Sequence, residues 1–363
     1  MNFENYTLKY LKQKEKEVKK STYCNYANNL KQVNQYIGID EISQITTKDI
    51  ENMCVNMVND GYAYKTLSDM KMVTKSVLKF AKKNGDTQNE IDTINIPKNI
   101  LEIAKSRTRE EVEIYDKEEK QKLLDNLLND INDDKQIQKQ KIAIGILIMM
   151  QTGIRVGELC GLQWKDVSYR ERKIDINKTV QRVFNPISSK SEVIIGSPKT
   201  ETSRRKVPIT DILYDVLERN KQESNDYIIS DKEVKEPRTF RREYKKYIET
   251  IGIRYLHPHG LRHCFASDLI NSGVNVKYAS QILGHSNSGI TLDVYTHTSN
   301  TELVEIANTI NKDTMQNSTK TENTKMEQMN LNGLIEVLKC CSNVVININT
   351  GPVYNNFSER IFK

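Results

Sequence analysis

The chain has 363 residues, of which 37% are hydrophobic and 28% charged, and its net charge is +6. At about 100–200 residues per domain, this length predicts two or three domains. The longest apolar run, Ile142–Met150, is far shorter than the roughly 20 residues of a membrane span, which excludes an integral membrane protein. The N-terminus has no apolar signal core, so we expect a cytoplasmic protein. A charge of +6 is too small to identify a nucleic-acid partner by itself.

The six cysteines form no C-x-x-C pair, and only two of them are close in sequence. This spacing favours reduced structural thiols over a disulfide framework or a zinc site. No G-x-x-x-x-G-K-[ST] loop occurs either, which argues against a P-loop nucleotide site. We therefore predict no metal and no cofactor.

The first hundred residues carry helical patterns. One apolar face repeats at steps of three and four residues, and comprises Tyr23, Tyr26, Leu30, Val33 and Ile37. Thr46 and Asp49 have the spacing of a capping box, and a further helix is predicted over 64–83. The mixed-charge run 12–20 predicts a solvated helix. We predict a helical domain over 1–101 and a charged interdomain linker over 102–111.

The following segment predicts a second domain over 112–312. A helix begins after Asp116, and a buried helix follows over 141–153. Between 172 and 209 the apolar period changes to alternation, which predicts one small antiparallel sheet. Helical patterns return from Thr239. The fold class is therefore mainly α with a small antiparallel β-sheet (α+β), followed by a tail over 313–363 whose role we cannot assign.

Five sequence features of this second domain occur in a fixed order. They are the segment Thr152–Leu159 with Arg155 and Glu158, then Lys199, then His259 and Arg262 in H-x-x-R, then His285 after Leu283-Gly284, and finally Tyr295. Each feature alone is weakly informative. Together, at these spacings, they are specific.

On these residues, the chain resembles the tyrosine recombinases of the phage-integrase class over about residues 5–310. The resemblance implies a SAM-like helical core-binding domain and a catalytic domain that cleaves and rejoins DNA through a 3′-phosphotyrosine intermediate. The family's catalytic arginines, hairpin lysine, two histidines and tyrosine nucleophile fall on Arg155, Arg262, Lys199, His259, His285 and Tyr295. Glu158 matches a supporting acidic residue. Cys264 departs from the family, where threonine is common after the R-H pair.

The chemistry of these side chains suits those roles. Guanidinium groups stay charged and can bind two phosphate oxygens at once, as required of Arg155 and Arg262. A tyrosine hydroxyl has a pKa near 10, so Tyr295 must lose its proton as it attacks. His259 is the candidate base and His285 a hydrogen-bond donor to the phosphate. Lys199 is the candidate acid for the leaving 5′-oxygen.

Simpler interpretations remain for individual residues. An arginine such as Arg155 is, by itself, more often a surface ion-pair partner. Lys190 and Lys206 flank the same predicted strands as Lys199 and could take its role. We interpret His263 as structural and His297 as a surface residue.

Basic residues also recur along the predicted helix 64–83. Five lysines form a candidate DNA-phosphate stripe, with a solvated helix face as the alternative: Lys71, Lys75, Lys79, Lys82 and Lys83. The resemblance implies double-stranded recombination sites as substrate and a homotetramer on DNA, with accessory DNA-bending or directionality proteins as further candidate partners. It also implies that the segment 301–310 reaches a neighbouring protomer. An additional arm-binding domain is expected to be absent.

We therefore predict an integrase for a phage or mobile element, acting in the bacterial cytoplasm at the nucleoid. One alternative is an Xer-like recombinase that resolves chromosomes or plasmids. Another, from a different class, is a site-specific DNA-binding protein that does not cleave.

Overall fold

The computed structural model describes residues 1–89, 93–107, 113–133, 135–197 and 204–284. The N-terminal part consists of helices α1 (Phe3–Glu17), α2 (Lys20–Ile37), α3 (Thr47–Asn59), α4 (Tyr64–Lys83) and α5 (Lys98–Ser106). The second part begins with α6 (Lys117–Ile131), α7 (Ile137–Thr152) and α8 (Val156–Gly161). Strands β1 (Val167–Ser168), β2 (Lys173–Ile176), β3 (Thr179–Asn185), β4 (Lys190–Gly196) and β5 (Arg205–Pro208) follow, and then α9 (Asp211–Arg219), α10 (Pro237–Thr250), α11 (Pro258–Asn271) and α12 (Val276–Leu283).

Helices α1–α5 form a bundle around one apolar core. The predicted face of α2 points inward, with Leu30 and Val33 almost fully buried. The predicted capping box of α3 is present, because the Asp49 carboxylate accepts the Thr46 backbone N–H at 2.8 Å. These features confirm the helical pattern read from the sequence.

Helix α5 changes the predicted start of the interdomain linker. The helix continues to Ser106, and Ala104 is fully buried against the bundle. Residues 102–106 are therefore helical, because their apolar side has a core to pack on. The domain boundaries themselves stay a prediction. The tail over 313–363 and the segment 301–310 lie outside the described residues.

The second part is built on helix α7, which is buried over most of its length. The helix ends at Gly153, which has a left-handed φ of +62°. A Cβ at this position would lie 2.6 Å from the Phe265 ring, so only glycine fits. This turn directs the chain into α8 and places Arg155 at the α8 N-terminus.

The prediction of one small sheet over 172–209 was wrong in one respect, because the strands form two sheets. Strands β1, β2 and β5 make a three-stranded antiparallel sheet, while β3 and β4 form a separate hairpin. Ile174 and Val207 pack into the core of the second domain, whereas Val183 of the hairpin is buried in the N-terminal bundle. The three-stranded sheet therefore packs on the core of the second domain, and the hairpin packs on the core of the N-terminal bundle.

The hairpin connects the two parts of the chain. Ile194 packs with Val183 against the bundle core. Lys20 at the start of α2 forms an ion pair with Glu192 of β4 at 2.6 Å. The bundle is therefore held beside β3, a strand that also lines a cleft of the second domain.

Candidate active site

Arg155 and Glu158 occupy the first turn of α8. The Glu158 carboxylate accepts the Arg155 backbone N–H at 2.9 Å and its guanidinium N–H at 3.0 Å. The Arg155 side chain remains 38% exposed, whereas that of Glu158 is 3% exposed. Glu158 therefore fixes the Arg155 side chain from its buried side, while the Arg155 guanidinium remains partly exposed to solvent.

Arg205, which the sequence analysis did not single out, completes this arrangement. Its guanidinium binds the Glu158 carboxylate with both terminal nitrogens, at 3.0 and 3.2 Å. Burial alone would raise the pKa of Glu158, but the charge and hydrogen bonds of Arg205, followed by those of Arg155, lower it below its usual value. Glu158 is thus an anion shared by two arginines.

A signal for Arg205 was present in the sequence. Strand β5 alternates inward and outward residues, and Arg205 lies two positions before Val207, which is fully buried. Period-two alternation therefore places Arg205 on the core side of the strand. An inward arginine in a strand requires a buried anion, and Glu158 is that anion.

Arg262 is also buried, with only 2% of its surface exposed. It donates to the carbonyl of Gly153 at 2.8 Å and to that of Leu283 at 2.7 Å. The predicted phosphate-binding arginine therefore joins the α7–α8 turn to the end of α12. Any phosphate contact that it makes comes in addition to these two bonds.

Three arginines donate hydrogen bonds to the backbone carbonyls at the end of α12. The carbonyls of Ile282, Leu283 and Gly284 accept from Arg205 at 2.6 Å, Arg262 at 2.7 Å and Arg155 at 3.4 Å, in that order. Carbonyls at a helix C-terminus have no partner within the helix and carry partial negative charge. Three guanidinium groups thus converge on three consecutive carbonyls.

His259 lies in the first turn of α11 and is exposed at the wall of a cleft. Its ring contacts that of His263 edge to face, with centroids 4.8 Å apart. Loss of hydration, together with the positive charges of His263, Arg262, Arg155 and His257, lowers the pKa of His259 to about 4. The imidazole is therefore neutral at pH 7 and can accept a proton.

The cleft beside His259 has a volume of about 550 Å³ and lies between α8, β3 and the first turns of α10 and α11. Basic side chains dominate its polar lining: Arg155, Arg182, Arg238, Arg241, His257 and His259. Arg182 is paired with Glu236 at 2.9 Å, while Arg238 and Arg241 are exposed. A cleft with this lining suits an anionic ligand.

Arg238 and Arg241 were missed by the sequence analysis. They stand three residues apart on α10 and are exposed, whereas Phe240 and Tyr244 of the same helix are fully buried. This spacing places them on one helix face and was visible in the segment PRTFRREY.

Lys199, His285 and Tyr295 lie outside the described residues. The chain that enters His285 and the strand that follows the Lys199 segment meet at Arg205. Gly284 directly precedes His285, and a Cβ on Gly284 would lie 2.9 Å from the Arg205 side chain. Arg205 begins β5 after the segment that contains Lys199. Lys206, one of the alternatives to Lys199, is paired with Glu171 at 3.0 Å.

The five lysines predicted to bind DNA lie on α4. Lys79, Lys82 and Lys83 are exposed, whereas Lys71 and Lys75 are partly buried. The stripe stays a prediction. Among the described residues, no helix is long and apolar enough to cross a membrane, and no group of three His, Cys, Asp or Glu side chains could hold a metal ion.

Two family models match the chain. Residues 113–302 match the phage integrase family, and residues 2–57 match the N-terminal SAM-like domain of phage integrases. A XerC-like tyrosine recombinase of Caldanaerobacter subterraneus is 26% identical, over 76% of this chain and 72% of the relative. A transposase from transposon Tn916 of Enterococcus faecalis is 25% identical, over 77% of this chain and 70% of that protein.

Solved structures share the fold. The Tn1549 transposon integrase in complex with transposon right end DNA superposes with a TM-score of 0.67 at 21% identity, covering 85% of this chain and 99% of that one. A lambda integrase tetramer bound to a Holliday junction gives a TM-score of 0.51 at 17% identity, covering 79% and 78%. The α+β architecture with its SAM-like first domain is thereby confirmed.

Proposed function

Because the chain belongs to the phage integrase family, we propose that it integrates and excises a mobile element by cleaving and rejoining DNA through a phosphotyrosine at Tyr295. The observation that carries this proposal is the shared cleft of Arg155 and His259, two residues more than a hundred positions apart in sequence that the fold brings to one basic surface. The Tn916 transposase among the relatives supports the mobile-element role.

Arg155 provides charge stabilisation in this mechanism. The scissile phosphodiester enters the cleft and its non-bridging oxygens face the Arg155 guanidinium. Negative charge builds up on these oxygens during transfer, and a preorganised cation stabilises it. A guanidinium has five N–H donors, so Arg262 can hold its two backbone carbonyls and still contact an adjacent phosphate.

Proton transfer completes the step. The Tyr295 oxygen attacks phosphorus, the bond from phosphorus to the 5′-oxygen breaks, and the phenolic proton passes to neutral His259. Lys199 donates a proton to the leaving 5′-oxygen, and His285 donates a hydrogen bond to the phosphate. The 3′-phosphotyrosyl bond conserves the energy of the phosphodiester, so a 5′-hydroxyl can later reverse the step without ATP.

Flanking DNA is bound by the remaining basic residues. Arg238 and Arg241 extend the positive surface beyond the scissile phosphate, and the lysines of α4 contact the backbone from the first domain. Four protomers act on two sites; the lambda integrase tetramer on a Holliday junction supports this assembly by likeness of fold. The reaction takes place on bacterial DNA in the cytoplasm, with accessory DNA-bending or directionality proteins as candidate partners.

The test uses a DNA substrate nicked near the cleavage site, which traps the covalent intermediate. The wild-type chain should form a protein–DNA adduct and Tyr295→Phe should form none. A matched control is Tyr255→Phe, a partly exposed tyrosine of the same domain, which should retain the adduct. An adduct with Tyr295→Phe would refute the proposal, and no adduct with the wild-type chain on its own attachment site would support the non-cleaving alternative.

A second candidate role is Xer-like resolution of chromosomes or plasmids, which the XerC-like relative favours. The two roles share the chemistry and differ in the substrate. Recombination between an element's attachment site and a chromosomal target supports integration. Recombination confined to two identical directly repeated sites supports resolution.

A further inference from the structure

We infer that Arg205 is a positioning residue of this active site, acting on the strand-cleavage step through Glu158 and the end of α12 without touching the DNA. The inference rests on the proposed function and adds to it a residue whose role neither the family motifs nor the chemistry of the step assigns.

The contacts of Arg205 form one rigid unit. Its two terminal nitrogens bind both oxygens of Glu158, and its Nε donates to the Ile282 carbonyl at 2.6 Å. The side chains of Arg205 and Glu158 are 6% and 3% exposed. A planar guanidinium bound in this way has one orientation, because moving it breaks three bonds at once.

Glu158 transmits this orientation to Arg155. The same Glu158 oxygen, Oε1, accepts from Arg155 at 3.0 Å and from Arg205 at 3.2 Å. Because Arg205 fixes the Glu158 carboxylate from the buried side, the oxygen that accepts from Arg155 also has a fixed position. Arg205 therefore sets where the Arg155 guanidinium stands before DNA enters the cleft.

The end of α12 is the second point of action. Arg205 binds the Ile282 carbonyl and packs against Gly284, the residue that directly precedes His285. Arg155 also reaches the Gly284 carbonyl, at 3.4 Å. One buried side chain thus connects the strand after the Lys199 segment, the first turn of α8 and the chain entering His285.

Lysine cannot replace this arginine. An ammonium group has three donors around one atom and cannot hold both carboxylate oxygens and a separate carbonyl in one plane. Arg205→Lys keeps the buried positive charge for Glu158 but loses the orientation. The variant therefore separates a positioning role from simple charge compensation.

The experiment measures single-turnover adduct formation on the nicked substrate at saturating DNA, together with DNA affinity and melting temperature. Arg205→Lys should lower the rate of adduct formation by about 100-fold, while the dissociation constant for DNA changes less than about threefold. Glu158→Gln should show the same split. The double variant should be no slower than the slower single variant, because both changes break one unit.

Lys141→Ala, which removes both the ion pair and the buried side-chain stem, is the matched control for lost stability. Lys141 is a buried cation of α7, paired with Asp231, and lies about 18 Å along the helix from Gly153. Its replacement should lower the melting temperature and leave the rate of adduct formation unchanged at temperatures where all variants are folded.

Three outcomes overturn the inference. They are an Arg205→Lys rate within a factor of three of wild type, equal losses in rate and affinity, or an Arg205→Lys effect that simply multiplies with that of Glu158→Gln. If Arg205→Lys does not fold, Glu158→Gln decides by the same rate-against-affinity split. Failure of the proposed function looks different, because the wild-type chain would then form no adduct at Tyr295.

Discussion

The N-terminal bundle and the region around the active site bury different kinds of polar side chain. Among the described residues, the buried polar side chains of the bundle are uncharged, namely Thr7, Thr74 and Thr87. Those of the second domain are mostly charged: Lys141, Glu158, Asp166, Lys173, Arg205 and Arg262. The bundle is stabilised by apolar packing, whereas the active site is assembled by buried charges that hold one another in place.

This difference explains how the active site can contain buried charged side chains and still be rigid. A buried charge is costly unless it is paired and hydrogen-bonded. Glu158 and the carbonyls of α12 provide the partners for three arginines. One of these, Arg155, is left partly exposed and available to a phosphate.

The largest effect on function is expected at Arg155. Replacing Arg155 with alanine removes the exposed cation of the cleft and should slow adduct formation by about a thousandfold, since one lost donor to a developing oxyanion costs about that much. Arg219, an exposed arginine at the end of α9, is the control. Arg219→Ala should be indistinguishable from wild type in the same single-turnover assay, and equal losses in both variants would contradict the assignment.

The largest difference in unfolding free energy is expected between variants at Arg262 and at Thr74. Arg262→Leu leaves the buried carbonyls of Gly153 and Leu283 without a donor, and at about 1–3 kcal/mol for each unsatisfied carbonyl it should cost about 2–6 kcal/mol of unfolding free energy. Thr74→Val removes only a hydroxyl bond to the Met70 carbonyl within α4 and should cost less than about 1 kcal/mol. Urea denaturation of both variants measures the two values. Similar values would show that buried charge has no special role in the second domain.

The pH dependence should respond to His263. As the proposed base, His259 must be neutral to accept the tyrosine proton, and its pKa lies below 6.5, so the acid limb of kcat/KM for the free protein should also lie below pH 6.5. Positive charge on His263 lowers the pKa of His259, so His263→Gln should raise that pKa and move the acid limb to higher pH.

His257 provides the control for that shift. It contributes least among the charged neighbours that lower the pKa of His259. His257→Asn should therefore move the acid limb less than His263→Gln does. A limb that moves to lower pH in the His263 variant would contradict the assignment of His259 as the base.

The smallest effect per residue is expected for the lysines of α4. Replacing Lys79, Lys82 and Lys83 with glutamine should weaken DNA binding and reduce the slope of log affinity against log salt by about 2–3, because each lost phosphate contact removes about 0.9. The control replaces Lys12 and Lys16 on α1, which belong to the mixed-charge run. An unchanged slope in the α4 variant would identify a solvated helix face.

The same comparison explains what could be predicted from the sequence. The α2 face and the capping box of Thr46 and Asp49 follow from local spacing, and the structure confirms them. The separation of the strands into two sheets could not be predicted, because it depends on which core Val183 covers. The partner of Arg205 and the cleft that Arg241 lines are both formed by residues distant in sequence. Local patterns show the face on which the two arginines lie, but not their partners.

The most important proposal is that Tyr295 attacks a DNA phosphate held at Arg155. The most direct measurement is mass spectrometry of the peptide that remains attached to DNA after the trapped adduct is digested with protease and nuclease. We expect a single phosphodiester-linked residue, Tyr295, carrying the 3′-phosphate of the cleaved strand. Attachment to any other tyrosine, or through a 5′-phosphate, would contradict it.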